Sequence, residues 1–318
     1  MKLRNLLIGL CPLLLQAALA QDYPNKPIRL IVPQPPGGTS DILGRALAAR
    51  LSGQLRQQVI VDNRVGASGT IGTDVVAKSP ADGYTLVLIY TTHTTSPSLY
   101  AKLPYDPIAD FAPITLASSA PLLLTGHPQL PAKTVKELAA LAKAKPGELN
   151  FPSAGNGSGG HLAGELFKVM TGANITHVPY RGTAPAIIDL ISGQMQFMFA
   201  GIMPVDPHVK SGRLRGIAVT GAKRSTAAPQ FPTVAETLPG FEIVGWTGLL
   251  APAKTPLAII DKLHTETLRA LQSREVGDRM KSEGAEIVGN SPAEFTEFLK
   301  ADLQRWARVI KRAGAKID

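Results

Sequence analysis

Short apolar runs alternate with amphipathic segments through the first third of the chain, and turns containing Gly, Pro and Asp separate them. The runs Ile28–Val32, Val59–Asn63 and 84–89 have the length and composition of buried strands. Segments 41–55 and 71–78 lie between these runs and repeat their apolar residues at helical spacing. Strands that alternate with helices at this spacing predict a parallel sheet covered by helices.

The alternation begins again near residue 125, after two short predicted strands at 114–116 and 121–125. The second unit is predicted to contain strands at 149–152, 175–178, 197–200 and 214–219, and helices at 135–145, 161–171 and 184–192. The C-terminal part is predicted to be helical over 256–272, 273–283 and 295–313. We therefore expect an α/β protein of two lobes, each a sheet covered by helices.

The length of 318 residues exceeds what one hydrophobic core usually accommodates, which also favours two lobes. The α/β units meet near residue 122, and Gly245-Trp246-Thr247-Gly248 precedes another apolar strand. We expect residues 22–122 plus 247–318 to form lobe 1, and residues 123–246 to form lobe 2. The two short crossovers are predicted to act as a hinge, because few residues need to change their backbone angles.

Local signals predict where several helices begin. Thr134 and Glu137 have the spacing of a capping box, and so do Ser291 and Glu294. Pro256 is expected at the first position of its helix. The buried face of the last helix is predicted to consist of Leu299, Leu303, Trp306 and Ile310.

The first twenty residues have the composition of a secretory signal peptide. Lys2 and Arg4 form a basic start, residues 6–15 form an apolar core, and Ala18-Leu19-Ala20 is a cleavage motif. We expect segment 1–20 to be cleaved and the mature protein to lie in the periplasm. The single cysteine, Cys11, lies within this segment, so the mature chain is expected to have no disulfide, thiol nucleophile or thiolate metal site.

Charge and composition narrow the classes of partner. The chain has 33 Lys and Arg against 24 Asp and Glu, a formal net charge of +9, which cleavage of segment 1–20 lowers to about +7. The basic residues are spread along the chain, and only 5% of the residues are aromatic. This pattern indicates a basic soluble surface that attracts small anions, and we expect no nucleic-acid partner.

Two glycine-rich segments carry the main functional signal. Each follows a short apolar run and leads into a helix, so that backbone N–H groups and the positive end of the helix dipole face one point. Two such loops, more than a hundred residues apart, predict an anion held from two sides. The candidate ligand-binding residues are Gly37, Gly38, Thr39, Ser40 and Asp41 in the first loop, and Ser153, Asn156, Gly157, Ser158, Gly159 and His161 in the second.

Three of the candidates are interpreted individually. Asp41 either interacts with the dipole of its own helix, or it orders the first loop or accepts from an amine on the ligand. Thr183 is either an N-cap or a further donor to the ligand. Thr94 belongs to a hydroxyl-rich loop at 91–96 that follows a strand, where ligands of open α/β sheets bind.

The motifs of dinucleotide binding, catalysis and metal binding are incomplete or missing in this sequence. Residues 155–160 fit the dinucleotide pattern G-x-G-x-x-G, but they lie mid-chain, and no ribose-binding acid follows about twenty residues later. Ser158 and His161 could form a nucleophile–base pair, although a helix-terminal role for His161 is favoured. The six histidines show no spacing typical of metal ligands. We expect no cofactor, no metal and no catalytic residue.

Several motifs follow one another in a fixed order along the predicted mature chain. They include Pro36-Gly37-Gly38-Thr39-Ser40-Asp41, Val61-x-Asn63-Arg64, Ala81-Asp82-Gly83-Tyr84, His177-Val178-Pro179-Tyr180-Arg181-Gly182 and Gly245-Trp246-x-Gly248. In this order they resemble the Bug/TctC family, the solute-binding proteins of tripartite tricarboxylate transporters. The resemblance covers essentially the whole mature chain.

The resemblance implies a periplasmic binding protein of type II architecture that captures a small carboxylate without catalysis. It also implies partnership with the membrane permease subunits of the transporter, and we expect a monomer. In the family, a strand often ends in an acidic residue at the position of Ala200, which adds Ala200 to the candidate site. Its replacement by alanine favours plain carboxylic acids over amino acids as ligands.

Two other functions remain open at this stage. The chain could be an exported hydrolase or transferase on the same two-lobed scaffold, or the extracytoplasmic partner of a membrane sensor. The ligand itself is not specified by the sequence: di- and tricarboxylates, aromatic acids and nicotinate-like acids all fit the donor set.

Overall fold

The computed structural model describes residues 23–37, 39–225, 227–282 and 284–313. The predicted signal peptide at 1–20 and the candidate residue Gly38 lie outside this part of the chain. Within it, no helix has the length and hydropathy needed to cross a bilayer.

Strands and helices alternate over most of the chain. The strands are β1 Ile28–Val32, β2 Val59–Asn63, β3 Thr85–Tyr90, β4 Phe111–Gly126, β5 Asn150–Ser153, β6 Thr176–Pro179, β7 Phe197–Gly201, β8 Arg215–Val219, β9 Val244–Pro252 and β10 Glu286–Ile287. The helices are α1 Thr39–Leu55, α2 Thr70–Ala77, α3 Thr92–Leu99, α4 Val135–Ala144, α5 Gly159–Thr171, α6 Thr183–Ile191, α7 Ile202–Lys210, α8 Leu257–Leu271, α9 Arg274–Ser282 and α10 Pro292–Ala313. Short 3-10 turns lie at Ala67–Gly69 and Val234–Glu236.

The long strand β4 connects two sections of one sheet. In the first section the order is β10-β4-β9-β3-β1-β2, with β1 parallel to β2 and β3, and β9 antiparallel to β3 and β4. In the second section the last residues of β4 pair with β7 and β8, both antiparallel. Strands β5 and β6 form a separate parallel pair. The predicted α/β class is therefore confirmed, with antiparallel strands at the centre.

Strand β4 corrects the prediction of two short strands at 114–116 and 121–125. It is a single strand of 16 residues that pairs with β9 from Phe111 to Pro121 and with β7 from Leu122 to Gly126. It contains Pro113 and Pro121, although proline cannot donate to a ladder. Register shifts beside Pro113 accommodate this residue without ending the strand.

Both faces of the first section are buried, which explains why its strands are continuously apolar. Leu30 and Val32 of β1 face a core that includes Leu43 and Leu47 of α1. Ile31, between them, faces the opposite core. The second section repeats this arrangement, because the even- and odd-numbered residues of β7 also belong to two different cores.

Helix α10 contributes to the cores of both sections. Its first turns pack Phe295 and Leu299 with the first section, and its later turns pack Trp306 and Ile310 with the second. These side chains are buried, as predicted for three of them, whereas Leu303 is half-buried. The 22-residue helix is thus one of the connections between the two sections.

The predicted capping boxes are present. Thr134 and Glu137 bond each other's backbone N–H groups, and Ser291 and Glu294 do the same at the start of α10. Helix α10 consequently begins at Pro292, three residues earlier than predicted. Pro256 has extended backbone angles and occupies the N-cap position of α8, so the prediction of a first helical position is wrong.

Two helices were not predicted. The hydroxyl-rich segment assigned to a loop forms α3, because its side chains are buried and its hydroxyls find acceptors within the fold, including the carbonyls three residues earlier for Thr94 and Thr95. Helix α7 contains both Pro204 and Pro207, which masked its helical pattern. In both cases tertiary packing overrides local propensity.

Candidate functional site

Helix N-termini lie at the ends of several strands. Helix α1 follows β1, α3 follows β3, α5 follows β5, and α7 begins directly after β7. The first N–H groups of each helix have no acceptor within their own helix and carry the positive end of its dipole. This edge is where a small anion would be bound in an open α/β fold.

The β5–α5 loop, residues 153–161, contacts several neighbouring elements. Gly182 N–H donates to the Ala154 carbonyl at 3.2 Å, which joins this loop to the start of α6. The Thr95 hydroxyl of α3 donates to the Gly157 carbonyl at 3.4 Å. A Cβ placed on Gly160 would lie 2.3 Å from the Phe199 carbonyl oxygen of β7. The fold therefore brings this loop against α3, α6 and β7 at once.

Asp41 organises the first loop. Its carboxylate accepts from Gly37 N–H, Arg45 Nε and Asn63 Nδ2, each at 2.9 Å. Desolvation by burial would raise the pKa of this carboxyl, but the bonds from Arg45, Gly37 and Asn63 outweigh it and hold the pKa below its usual range. These bonds correspond to the loop-ordering interpretation of Asp41. Its immediate neighbour Ser40 is buried in the first turn of α1, which begins at Thr39.

The second loop is held by a network of neutral groups. Ser158 is the N-cap of α5 and accepts from His161 N–H at 3.4 Å. Gly157 N–H donates to Nδ1 of His161 at 3.1 Å, so the ring proton of neutral His161 resides on Nε2. Ser153 Oγ lies 2.7 Å from Nε2 of His177 and accepts from Gly155 N–H at 3.1 Å. The rings of His161 and His177 are stacked 4.1 Å apart.

Both histidines are neutral at neutral pH. Burial lowers the pKa of His161 to about 4, with a smaller contribution from the positive charge of Lys168. Burial lowers the pKa of His177 to about 3, and repulsion from His161 and Lys168 adds to the effect. These residues shape the loop without supplying a cation, so an anion here would be recognised by N–H dipoles.

The sequence suggested Ser158 and His161 as a nucleophile–base pair. In the structure, the side chains of Ser153 and His177 contact each other instead. They are 24 residues apart and become neighbours because β5 pairs in parallel with β6. Ser153 is fully buried, and its hydroxyl also donates to the carbonyl of Gly155. A nucleophile has to reach a substrate, so this geometry indicates a structural pair.

The remaining candidates lie in different surroundings. Thr94 is fully buried and donates to Oδ2 of Asp302 at 2.6 Å. Ala200 is buried on β7 within a core of the second section. Thr183 is the first residue of α6, whose N-cap is Gly182, so the N-cap interpretation of Thr183 is wrong. Asn156 and Gly159 lie in the β5–α5 loop itself, and the role of each candidate toward a ligand stays a prediction.

The turn Gly66–Gly69 lies near the same loop but was not among the candidates. Ser68 Oγ donates to the Asn156 carbonyl at 3.4 Å. Two glycines that flank Ala67 and Ser68 were the available sequence signal, since such spacing is typical of left-handed backbone. Among the described residues, no group of three or more His, Cys, Asp or Glu could hold a metal ion.

The chain is similar to proteins of one family over most of its length. The sequence model described as the tripartite tricarboxylate transporter family receptor matches residues 43–315. The protein BugT of Bordetella pertussis is 40% identical over 301 residues, which cover 94% of this chain and 92% of the relative.

Solved structures share this fold. An R. palustris protein solved with adipate is 39% identical, with a TM-score of 0.86, over 93% of this chain and 100% of that chain. The periplasmic binding protein BugD is 35% identical, with a TM-score of 0.83 and the same coverage. MatC from Rhodopseudomonas palustris with bound malate is 31% identical, with a TM-score of 0.82, over 91% of this chain and 100% of that chain. The chain thus has the mixed α/β fold of periplasmic binding proteins.

Proposed function

The chain belongs to the tripartite tricarboxylate transporter receptor family, and we propose that it captures a small carboxylate for delivery to the permease subunits of such a transporter. The family and the structural neighbours are binding proteins and not enzymes. The expectation of a non-catalytic protein is therefore confirmed. We further propose that the mature protein works in the periplasm as a monomer, after cleavage of segment 1–20.

One observation carries the proposal: the β5–α5 loop lies where helix N-termini and strand ends meet, and its own side chains are neutral. His161 of this loop and its stacking partner His177 are uncharged, and Asp41 is occupied by Arg45 and two amide groups. Neutral N–H and hydroxyl donors hold a carboxylate well when water is excluded, because each dipole then acts in a low dielectric. We propose that the two glycine-rich loops contribute these donors.

Two lobes would enclose the ligand. We propose residues 22–122 plus 247–318 as lobe 1 and residues 123–246 as lobe 2. The passage of β4 from one section of the sheet to the other at Leu122 supports this division. A ligand that prefers the closed arrangement would shift the population toward it and give the permease a state to recognise.

The ligand class is proposed from the neighbours and from β7. Adipate and malate, bound by the two neighbours, are both small dicarboxylates. An acid at the position of Ala200 would pair with a ligand ammonium group, and alanine cannot. We propose a preference for plain carboxylic acids over the matching amino acids.

Calorimetry on the purified protein tests the proposal with matched pairs of probes. Adipate, malate and succinate are compared with dimethyl adipate, which lacks the charges, and with aspartate, which adds an amine to succinate. We expect one site per chain, no binding of the ester and weaker binding of aspartate. Absence of binding across mono-, di- and tricarboxylates and aromatic acids would contradict the proposed function. Equal affinity for aspartate and succinate would contradict only the role of Ala200.

A further inference from the structure

The turn Gly66–Gly69 near the candidate site contains two consecutive non-glycine residues with positive φ. Ala67 and Ser68 have φ values of 45° and 55°, in the left-handed region that costs about 1 kcal/mol or more for each residue that has a Cβ. Two such residues in succession persist only where surrounding contacts hold them. The turn therefore needs specific partners, and they identify its role.

Two tyrosines from other elements hold the turn. The Tyr90 hydroxyl, at the end of β3, donates to the Ser68 carbonyl at 3.0 Å. The Tyr100 hydroxyl, which follows α3, donates to Ser68 Oγ at 3.2 Å. With its acceptor position used by Tyr100, the Ser68 hydroxyl is oriented to donate in turn.

The acceptor of the Ser68 hydroxyl is the Asn156 carbonyl, at 3.4 Å. These residues are 88 positions apart, and Asn156 belongs to the β5–α5 loop. Next to this contact, the Thr95 hydroxyl of α3 donates to the Gly157 carbonyl of the same loop. The strained turn thus places one hydroxyl against the predicted anion loop from the opposite section.

We propose that Ser68 is a positioning residue of the ligand site, whose hydroxyl fastens the β5–α5 loop to the first section. The proposal rests on the proposed two-lobe function. Ser68 acts through Asn156 and not on the ligand: it stabilises the arrangement in which donors from both sections face each other. This explains why a strained serine, and not a glycine, occupies the position.

Two substitutions separate the hydroxyl from the strain. Ser68→Ala removes the hydroxyl but retains a Cβ in the left-handed region, whereas Ser68→Gly removes both the hydroxyl and the strain. If fastening is the role, both variants loosen the contact. If Ser68 only shapes the turn, Ser68→Gly keeps the two lobes at least as close together as they are in the wild type. Ser192→Ala is the matched control, since its exposed hydroxyl donates to the Asp189 carbonyl and accepts from the Gln194 side chain, both nearby in sequence.

The measurement is an interlobe distance distribution in the absence of ligand. Residues 21–318 contain no cysteine, so spin labels can be placed uniquely through Ala49→Cys on α1 and Ala140→Cys on α4, both exposed. We expect both Ser68 variants to increase the separated fraction about two- to twelvefold, the range expected for one neutral hydrogen bond. Ser192→Ala should keep the wild-type distribution.

Unchanged distributions in both Ser68 variants would overturn the proposal, and so would a change in Ser68→Ala that Ser68→Gly reverses. The carboxylate titrations are a separate readout. If adipate or malate binds while distances stay unchanged, the proposed function stands and the role of Ser68 is rejected. If distances change while no carboxylate binds, the role of Ser68 stands and the proposed function is rejected.

Discussion

Gly160→Ala should displace the N-terminus of α5 from β7. The added Cβ would lie 2.3 Å from the Phe199 carbonyl oxygen, closer than any real contact allows. That oxygen is backbone in a buried strand, so relief requires a shift of about 1 Å between helix and strand. Gly159, the preceding residue, is a matched control, because its Cβ would lie 3.4 Å from a flexible Leu122 methyl group.

The magnitude follows from two opposing contributions. Overpacking of this kind costs about 1–3 kcal/mol. Replacing glycine by alanine within a helix restores up to about 1 kcal/mol, and this gain applies to both positions. We therefore expect Gly160→Ala to have a free energy of unfolding about 1–3 kcal/mol lower than that of Gly159→Ala, and Gly159→Ala to be up to about 1 kcal/mol more stable than the wild type.

Urea unfolding followed by tryptophan fluorescence measures both values, with Trp246 and Trp306 as the probes. The m-value shows whether unfolding stays two-state, so that midpoints can be compared. Calorimetry with adipate or malate is expected to show weaker binding for Gly160→Ala, because the loop donors move with the helix. Equal stability of the two variants would refute the argument that close backbone contact with β7 positions this loop.

Three further outcomes are expected. Asp302→Ala should lower the free energy of unfolding by about 3–5 kcal/mol in urea titrations, because the buried carboxylate accepts from two indoles, a threonine and an arginine. A loss below about 1 kcal/mol would contradict this expectation. Acid should destabilise the protein: burial lowers the pKa of His93 and His161 to about 4 and of His177 to about 3, so between pH 6.5 and about 4 the unfolded chain binds these protons and the folded chain does not. The free energy of unfolding should fall by up to about 1.4 kcal/mol per pH unit for each histidine as the pH drops from 6.5 toward 4, and a flat profile in urea titrations would exclude it. Ser158→Ala should lower the free energy of unfolding by about 1 kcal/mol through loss of the N-cap, and it should weaken carboxylate binding measured by calorimetry. If neither the stability nor the carboxylate affinity changes, Ser158 is not part of the site.

Local patterns predicted the regular elements well. Strands β1 and β2 have the predicted bounds, and the Thr134–Glu137 capping box starts α4 where expected. Such features depend on residues a few positions apart, so the sequence carries their cause directly. Where burial reversed a local preference, as in the hydroxyl-rich helix α3, the prediction of a loop was wrong.

The two candidate loops were predictable from the sequence, but their contacts were not. The strand–glycine–helix pattern marked both loops, because helix N-termini and left-handed glycines have short-range signatures. The sequence did not indicate which distant residues the side chains of these segments contact. Ser153 meets His177 only because β5 pairs with β6 in a particular register, and Thr94 meets Asp302 across 208 residues.

The sequence by itself determined the α/β class, the order of most elements and the two glycine-rich loops. Those features arise from periodicity, capping and backbone freedom, which act over a few residues. Only the tertiary structure decided that β4 is continuous, that Asp41 is occupied within its own loop and that Ser68 reaches Asn156. These outcomes depend on which distant surfaces share a core and which polar groups are buried together. These long-range contacts are set by the whole fold, so no local stretch of sequence encodes them.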